Sequence, residues 1–566
     1  MSELSPIAPL SVRQQFMTEP GLGAGNFLDY ALAMNPNRDV PYAFTHHTDH
    51  RGEVVLRGHS LVDVAAQRDA YAKWYHANGV RPGEPVAIVV AEGFEPILHF
   101  LALNALGAIP ALINDAMRTD VMVRYLNHIG AVGIVADDTT RIAAAYRADP
   151  QRRPRFIALT AEVQAHDAAS GTLPSPYPYK RKDDDIVALI HSSGTTGTPK
   201  STTLGHKSFW DGKQPRMVRF PAQPYDKLMS LMPHTHAGGL SYFLTTTLLG
   251  LPTVVMADWR RVVVEPVMEA FQPTMLASFP RTFVELATGN LPAKGAAKVH
   301  SWFNTADSAH YGHIRRLVTL GERPAGLIKP WLLPSEAADE EPLAGSRFID
   351  GLGSSEMGMA LFGGLFTPET PRNDRCVGKP TEVCTATILD NDGNEVPDGT
   401  VGLLAIRSPS RTPGYWKNER LTASFELSGW WLTGDVARKD AEGNFYHLDR
   451  TVDVIDTGSG PVYSLQLEEV LLADCAEIVR DGVVIGVPAG NGVGQEPMAV
   501  VQLQQGAQDW TAEAILERAN KELADKGLHP LAAVSIAVTP QDYPLGPTGK
   551  VLKRELRTKF ASHLVR

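Results

Sequence analysis

Along the first third of the chain, short apolar runs alternate with longer segments of helical period, and that alternation admits few folds. Residues 61–78 carry apolar side chains at helical spacing and stop at Gly79. Arg81-Pro82-Gly83-Glu84 then reads as a turn, Val86-Ala87-Ile88-Val89-Val90 as a buried strand, and 94–106 as the next helix. Residues 107–113 read as a strand edge. Strands joined through helices pair in parallel and need helices on their faces, so the spacing predicts βαβ units around a mostly parallel sheet. Further strands are expected at 185–190, 253–256 and 402–406, with a loop at 408–415. A boundary is expected near 449–452, after the turn Ala441-Glu442-Gly443-Asn444. The remaining hundred or so residues, with helices near 465–473 and 511–526, suit one small α+β domain.

Charge and cysteine content narrow the classes of function. A formal net charge of -10 leaves no basic footprint for nucleic acid. Cys376, Cys384 and Cys475 are the only cysteines, and their spacing fits neither a zinc site nor a disulfide framework. The apolar stretch 244–256 is interrupted by Thr245, Thr246, Thr247, Gly250 and Pro252, which argues against a membrane span. The N-terminus shows no basic region followed by an apolar block. A cytoplasmic protein is the expectation.

The strand at 185–190 runs directly into SSGTTGTPK, residues 192–200. Gly194 and Gly197 let backbone N–H groups approach an anion, while Ser192, Ser193, Thr195 and Thr196 add hydroxyl donors. Lys200 supplies positive charge. The loop lacks the Gly-Lys-Ser/Thr ending of a Walker motif. By composition alone, such a cluster is also what a surface turn looks like.

The order of residues in this loop resembles the signature of the adenylate-forming superfamily: acyl- and aryl-CoA synthetases, luciferases and peptide-synthetase adenylation domains. The likeness is closest to the acyl-CoA synthetases, and further blocks follow in the family's order from about residue 61 to 556. Pro233-His234-Thr235-His236-Ala237-Gly238-Gly239 resembles the acyl-pocket segment, which places His236, Gly238, Gly239 and, further on, Gly358 at the substrate. Thr305, Ala306 and Asp307 correspond to the adenine-contacting turn, although an aspartate there is unusual. Leu352-Gly353-Ser354-Ser355-Glu356 resembles the Tyr-Gly-x-Thr-Glu motif, with Glu356 suited to Mg²⁺ and Leu352 replacing the usual aromatic. Asp435 of Thr433-Gly434-Asp435 and Arg450 match the pair that holds the ribose. Lys550 matches the catalytic lysine that bridges carboxylate and α-phosphate.

The resemblance implies a large N-terminal domain, 1–449, of βαβ-type subdomains plus a distorted barrel, and a small mobile C-terminal domain, 450–566. It implies ATP, Mg²⁺ and coenzyme A as partners of a small carboxylic acid. Lys550, His236 and Thr196 are then the expected catalytic residues. The glycines and apolar residues around 357–364 suggest a bulky apolar acid. Two departures bear on the second half-reaction: Val452 stands at the expected hinge, and Asp456 stands where a lysine is common. An enzyme confined to one half-reaction, a ligase loading a carrier protein, and a non-catalytic acyl or nucleotide sensor are the alternatives.

Overall fold

The computed structural model describes residues 5–148, 153–166, 171–192, 199–256, 258, 260–287, 295–323, 343–546 and 549–563. The expected α/β architecture is present. Six strands form one sheet in the order Phe156–Leu159, Gly133–Ala136, Pro85–Val89, Ile109–Leu112, Ile186–Ser192 and Lys200–Gly205; all neighbours run parallel except the last pair. The strand Ile109–Leu112 lies inside this sheet rather than at an edge, and all four of its residues are buried. Its flanking helices are Leu61–Ala77, opened by a reciprocal Ser60–Asp63 capping box, and Glu95–Ala105.

A second, larger sheet has a parallel half ordered Ala43–Thr48, Thr253–Val255, Leu228–Ser230, Met275–Ser278, Ser301–Ala306 and Arg347–Gly353. Its path continues through antiparallel strands: Ala360–Phe366, Cys376–Pro380, Phe445–Arg450, Trp430–Lys439, Val401–Arg407 and Thr385–Leu389. No pairing among the described residues closes this run into a ring. Parallel strands buried on both faces read as continuous apolar runs, which is why they were visible in the sequence. Strand Lys200–Gly205 meets the loop that follows Val401–Arg407, where Thr202 bridges Tyr415.

The large sheet's last strand before the C-terminal region ends at Arg450. Beyond it stand a hairpin, Ile455–Thr457 with Gly460–Val462, and a three-stranded sheet, Val479–Pro488, Gln495–Leu503 and Ala533–Ile536. Helices Ser464–Ala473 and Ala512–Asp525 pack with it around a separate apolar core that includes Leu467, Leu471, Val484, Val501 and Ile515. Helix Tyr311–Val318 meets Ser464–Ala473 across the junction of the two parts. Among the described residues no helix is long and apolar enough to cross a membrane.

Candidate active site

In an open α/β sheet, ligands bind beyond the carboxyl ends of the parallel strands, and the predicted residues gather there. After Leu228–Ser230 the chain turns so that His236 caps helix Ala237–Leu249, its Nδ1 accepting from the Gly238 N–H at 3.0 Å. That bond leaves Nε2 as the protonated nitrogen, a donor. Burial, then the charges of Lys550 and His191, lower His236 to about 3, so the ring is neutral at ordinary pH. Gly239 is required by packing, since a Cβ there would sit 2.3 Å from the Pro233 carbonyl oxygen. The same turn is anchored by Glu92, which accepts from the backbone N–H of His234 at 2.6 Å and of Thr235 at 3.0 Å, and from the Thr235 hydroxyl.

Two strands further along the sheet, Thr305 lies against Gly238, and Ala306 adopts φ 82°, a left-handed conformation uncommon outside glycine. This twist turns the chain out of the strand at Asp307. Asn304 fixes the turn by donating to the Asp307 carbonyl at 2.6 Å and to Asp350 Oδ1 at 2.5 Å. On the adjacent strand, Gly353 leads into Ser354, Ser355 and Glu356. Glu356 Oε1 accepts from Tyr415 at 2.9 Å and from Thr202 at 3.5 Å. Gly358, at φ 74°, comes so close to Ser410 that a Cβ would lie 2.2 Å from its carbonyl oxygen. Buried Lys213 also donates to the Gly358 carbonyl at 3.0 Å.

The cations come from three other elements. Lys200 opens the strand Lys200–Gly205, its amine 4.2 Å from the Phe425 ring centre; burial lowers its pKa, Glu356 raises it and Arg450 lowers it. Arg450 pairs with Asp435 in the ladder of Trp430–Lys439 and Phe445–Arg450, and His447 Nε2 lies 3.6 Å from Asp435. Lys550 stands on a loop tied at its base by the Leu545–Val551 bridge, with the Gly546 N–H donating to the Lys550 carbonyl at 2.7 Å. Its Nζ is 3.2 Å from Asp307 Oδ2. Burial raises the Asp307 carboxyl, but Lys550, His447 and Arg450 outweigh that and hold it well below the usual carboxylate range.

A cleft of about 620 Å³ joins Lys200, Asp307, Ser354, Glu356, Arg450 and Lys550. Asp435, Thr305, Ala306, Gly353, Ser355, His236, Gly238, Gly239 and Gly358 lie outside the cleft lining. Ser192 ends its strand; Ser193, Gly194, Thr195, Thr196 and Gly197 lie outside the described residues.

Sequence reading missed a second set of groups at the junction with the C-terminal region. His310 faces Glu469 Oε2 at 2.9 Å and Glu468 Oε2 at 3.5 Å, while the Tyr311 N–H donates to Glu469 Oε1 at 2.7 Å. Arg281 pairs with Asp481 at 2.6 Å and Arg372 with Asp474 at 2.6 Å. No local motif marks these residues, because the partners are separated by more than a hundred positions.

The arrangement suits a nucleotide and a hard cation. Lys200, Arg450 and Lys550 are among the cationic side chains that line one cleft, and the buried Trp431 Nε1, on its wall, has no hydrogen-bond partner among the described residues. A single carboxylate, Glu356, is what Mg²⁺ needs when phosphate oxygens supply other ligands. Residues 47–416 match the AMP-binding enzyme family. A 3-aminoavenalumate diazotase of Streptomyces sp is 34% identical over 97% of this chain and 98% of its own length. A 3-amino-2-hydroxy-4-methoxybenzoate diazotase of Streptomyces cremeus is 27% identical over 87% of this chain and 88% of its own. The crystal structure of an anthranilate CoA ligase in complex with anthranoyl-AMP superposes with a TM-score of 0.78 at 19% identity, covering 96% of this chain and 98% of that one.

Proposed function

The chain belongs to the AMP-binding enzyme family, and from that membership we propose that it activates nitrite with ATP and passes the activated nitrogen to an aromatic amine, as a diazotase. The observation that carries the adenylating half is the reach of Lys550 from the C-terminal region to Asp307, in one cleft with Lys200, Glu356 and Arg450. The acceptor half is supported by likeness along nearly the whole chain to a protein named as a diazotase.

An adenylating site needs an oxyanion that attacks the α-phosphorus and leaves with AMP attached. A diazonium group needs a second nitrogen at the oxidation level of nitrite, so nitrite meets both demands without an external oxidant. Lys550 neutralises charge developing at the α-phosphate; Glu356 would hold Mg²⁺ against the phosphates; Asp435 and Arg450 orient the ribose. Neutral His236, donating from Nε2, orients the bound aromatic acid or its carboxylate. In this reading residues 1–449, with Arg450 at the boundary, carry the nucleotide and aromatic sites, the rest of 450–566 delivers the lysine, and the compartment is the cytosol.

Coenzyme A transfer is the competing fate of an adenylate here. Asp456 is exposed on the hairpin Ile455–Thr457, and a carboxylate on that face repels the phosphates of coenzyme A, which favours the nitrogen acceptor. The test is one panel: ATP, Mg²⁺ and the full chain with nitrite plus aromatic acids bearing a 3-amino group, against the same acids with coenzyme A. The expected result is nitrite-dependent pyrophosphate release and an azo dye on trapping with a naphthol. Pyrophosphate release without nitrite, with thioester formed on adding coenzyme A, would establish the acyl-CoA ligase instead.

A further inference from the structure

Asp307 lines the cleft beside the lysine of the C-terminal region. Its carboxylate is 3.2 Å from the amine of Lys550, the group assigned to the α-phosphate. In an adenylate the atom under attack is joined to that phosphate through one oxygen. A carboxylate beside the phosphate-binding lysine therefore stands on the side of the cleft where that bond is broken.

Four other carboxylates around the cleft are held by partners of their own. Asp449 accepts from the Ser464 N–H at 2.5 Å, Asp453 from Arg557, Glu468 from Lys553 at 2.7 Å, and Asp481 from Arg281 at 2.6 Å. Asp307 is held by Lys550, which bound nucleotide draws toward phosphate. Its side chain keeps 32% exposure into the cleft, and the left-handed Ala306 together with the Asn304 bonds fixes its direction.

We propose that Asp307 is a catalytic residue of the second half-reaction, binding the amino group of the aromatic acceptor and taking the proton it sheds on attack. This rests on the diazotase reading. The amine nitrogen forms an N–N bond to the activated nitrogen, the bond from that nitrogen to the phosphate-linked oxygen breaks, and AMP leaves with the electron pair. The proton on the newly cationic nitrogen passes to Asp307. The N-nitrosoamine then tautomerises and loses hydroxide to give the diazonium ion. Nitrogen attached to an electron-withdrawing N=O is strongly acidic once cationic, so a carboxylate is basic enough to accept from it.

The experiment measures pyrophosphate release and dye-trapped diazonium separately in wild type, Asp307→Asn and Asp307→Glu, with melting temperatures as a control for folding. In Asp307→Asn, the yield of diazonium per pyrophosphate released is expected to fall by about 100-fold or more, the scale of lost general-base catalysis. Asp307→Glu should recover part of the diazonium rate. Parallel loss of both activities would make Asp307 only a docking partner of Lys550 and overturn the proposal, as would wild-type diazonium rates in Asp307→Asn. Wild type that releases no pyrophosphate with nitrite refutes the diazotase reading itself, and the role of Asp307 with it.

Discussion

Replacing Gly312 by alanine tests whether the docking of the C-terminal region, as described, is the arrangement that adenylates. Gly312 is the second residue of helix Tyr311–Val318, facing helix Ser464–Ala473. A Cβ there would lie 2.1 Å from the Leu472 carbonyl oxygen and 2.8 Å from its carbon, where ordinary contact begins at 3.4 Å. Backbone is on the receiving side, so no rotamer relieves the clash; the two helices must separate by about 1.3 Å, or the contact breaks. Overpacking of this kind costs about 1–3 kcal/mol. Spent against docking alone, that is a loss of about 5- to 150-fold in the ratio of docked to undocked forms, at about 1.4 kcal/mol per factor of ten. Lys550 leaves Asp307 with its domain, whereas Arg450 and Asp435 stay on the large sheet. The expected result is a pyrophosphate-release kcat lowered within that range and a KM for ATP nearly unchanged. An unaltered kcat in a variant that folds normally would refute the assignment of this docked form to adenylation.

The same junction should respond to pH. Burial lowers His310, but its hydrogen bonds to Glu468 and Glu469 outweigh that and raise it to about 9. A pKa raised on folding gives stabilisation that is complete below the unfolded value, about 6.5, and is lost as pH climbs through the folded one. The melting temperature of wild type should therefore fall more steeply from pH 7 to pH 9 than that of His310→Gln; equal slopes would remove His310 from the junction's energetics. At the other end of the site, Glu92→Gln exchanges a carboxylate oxygen that accepts backbone N–H groups for an NH₂ that cannot. Chemical denaturation should show a loss of about 1–3 kcal/mol, with a raised KM for the aromatic substrate, because His236 loses its support.

The sequence was most informative where function is carried by local order. Lys200, Asp307, Ser354, Glu356, Arg450 and Lys550 were each marked by neighbours within a few positions, and the fold brings all six to one cleft. The buried strands at 85–89 and 186–192 and the helix at 464–473 were legible from apolar runs and period. Long-range polar partnerships were not. Glu92 reaches the turn at 234–235 from another subdomain, and His310 meets two glutamates more than 150 residues away. Charged residues on apolar-patterned helices, such as Glu468 and Glu469, look solvent-facing until the opposing surface is known. Ala306 gave no hint of its left-handed backbone, since alanine usually avoids it.

The loop that carries Lys550 is tied off at its own base, so the backbone under this lysine has little freedom to swing alone. Drawing that backbone out of the cleft would carry with it a body of about a hundred residues. Rigid-body motions of that size run in microseconds to milliseconds, far slower than a side-chain flip, and they push solvent aside as they go. Each turnover that needs the lysine withdrawn therefore inherits a clock set by friction. Added viscogen would slow such an enzyme even at saturating substrate, a kinetic signature that follows from one short hairpin rather than from the chemistry it serves.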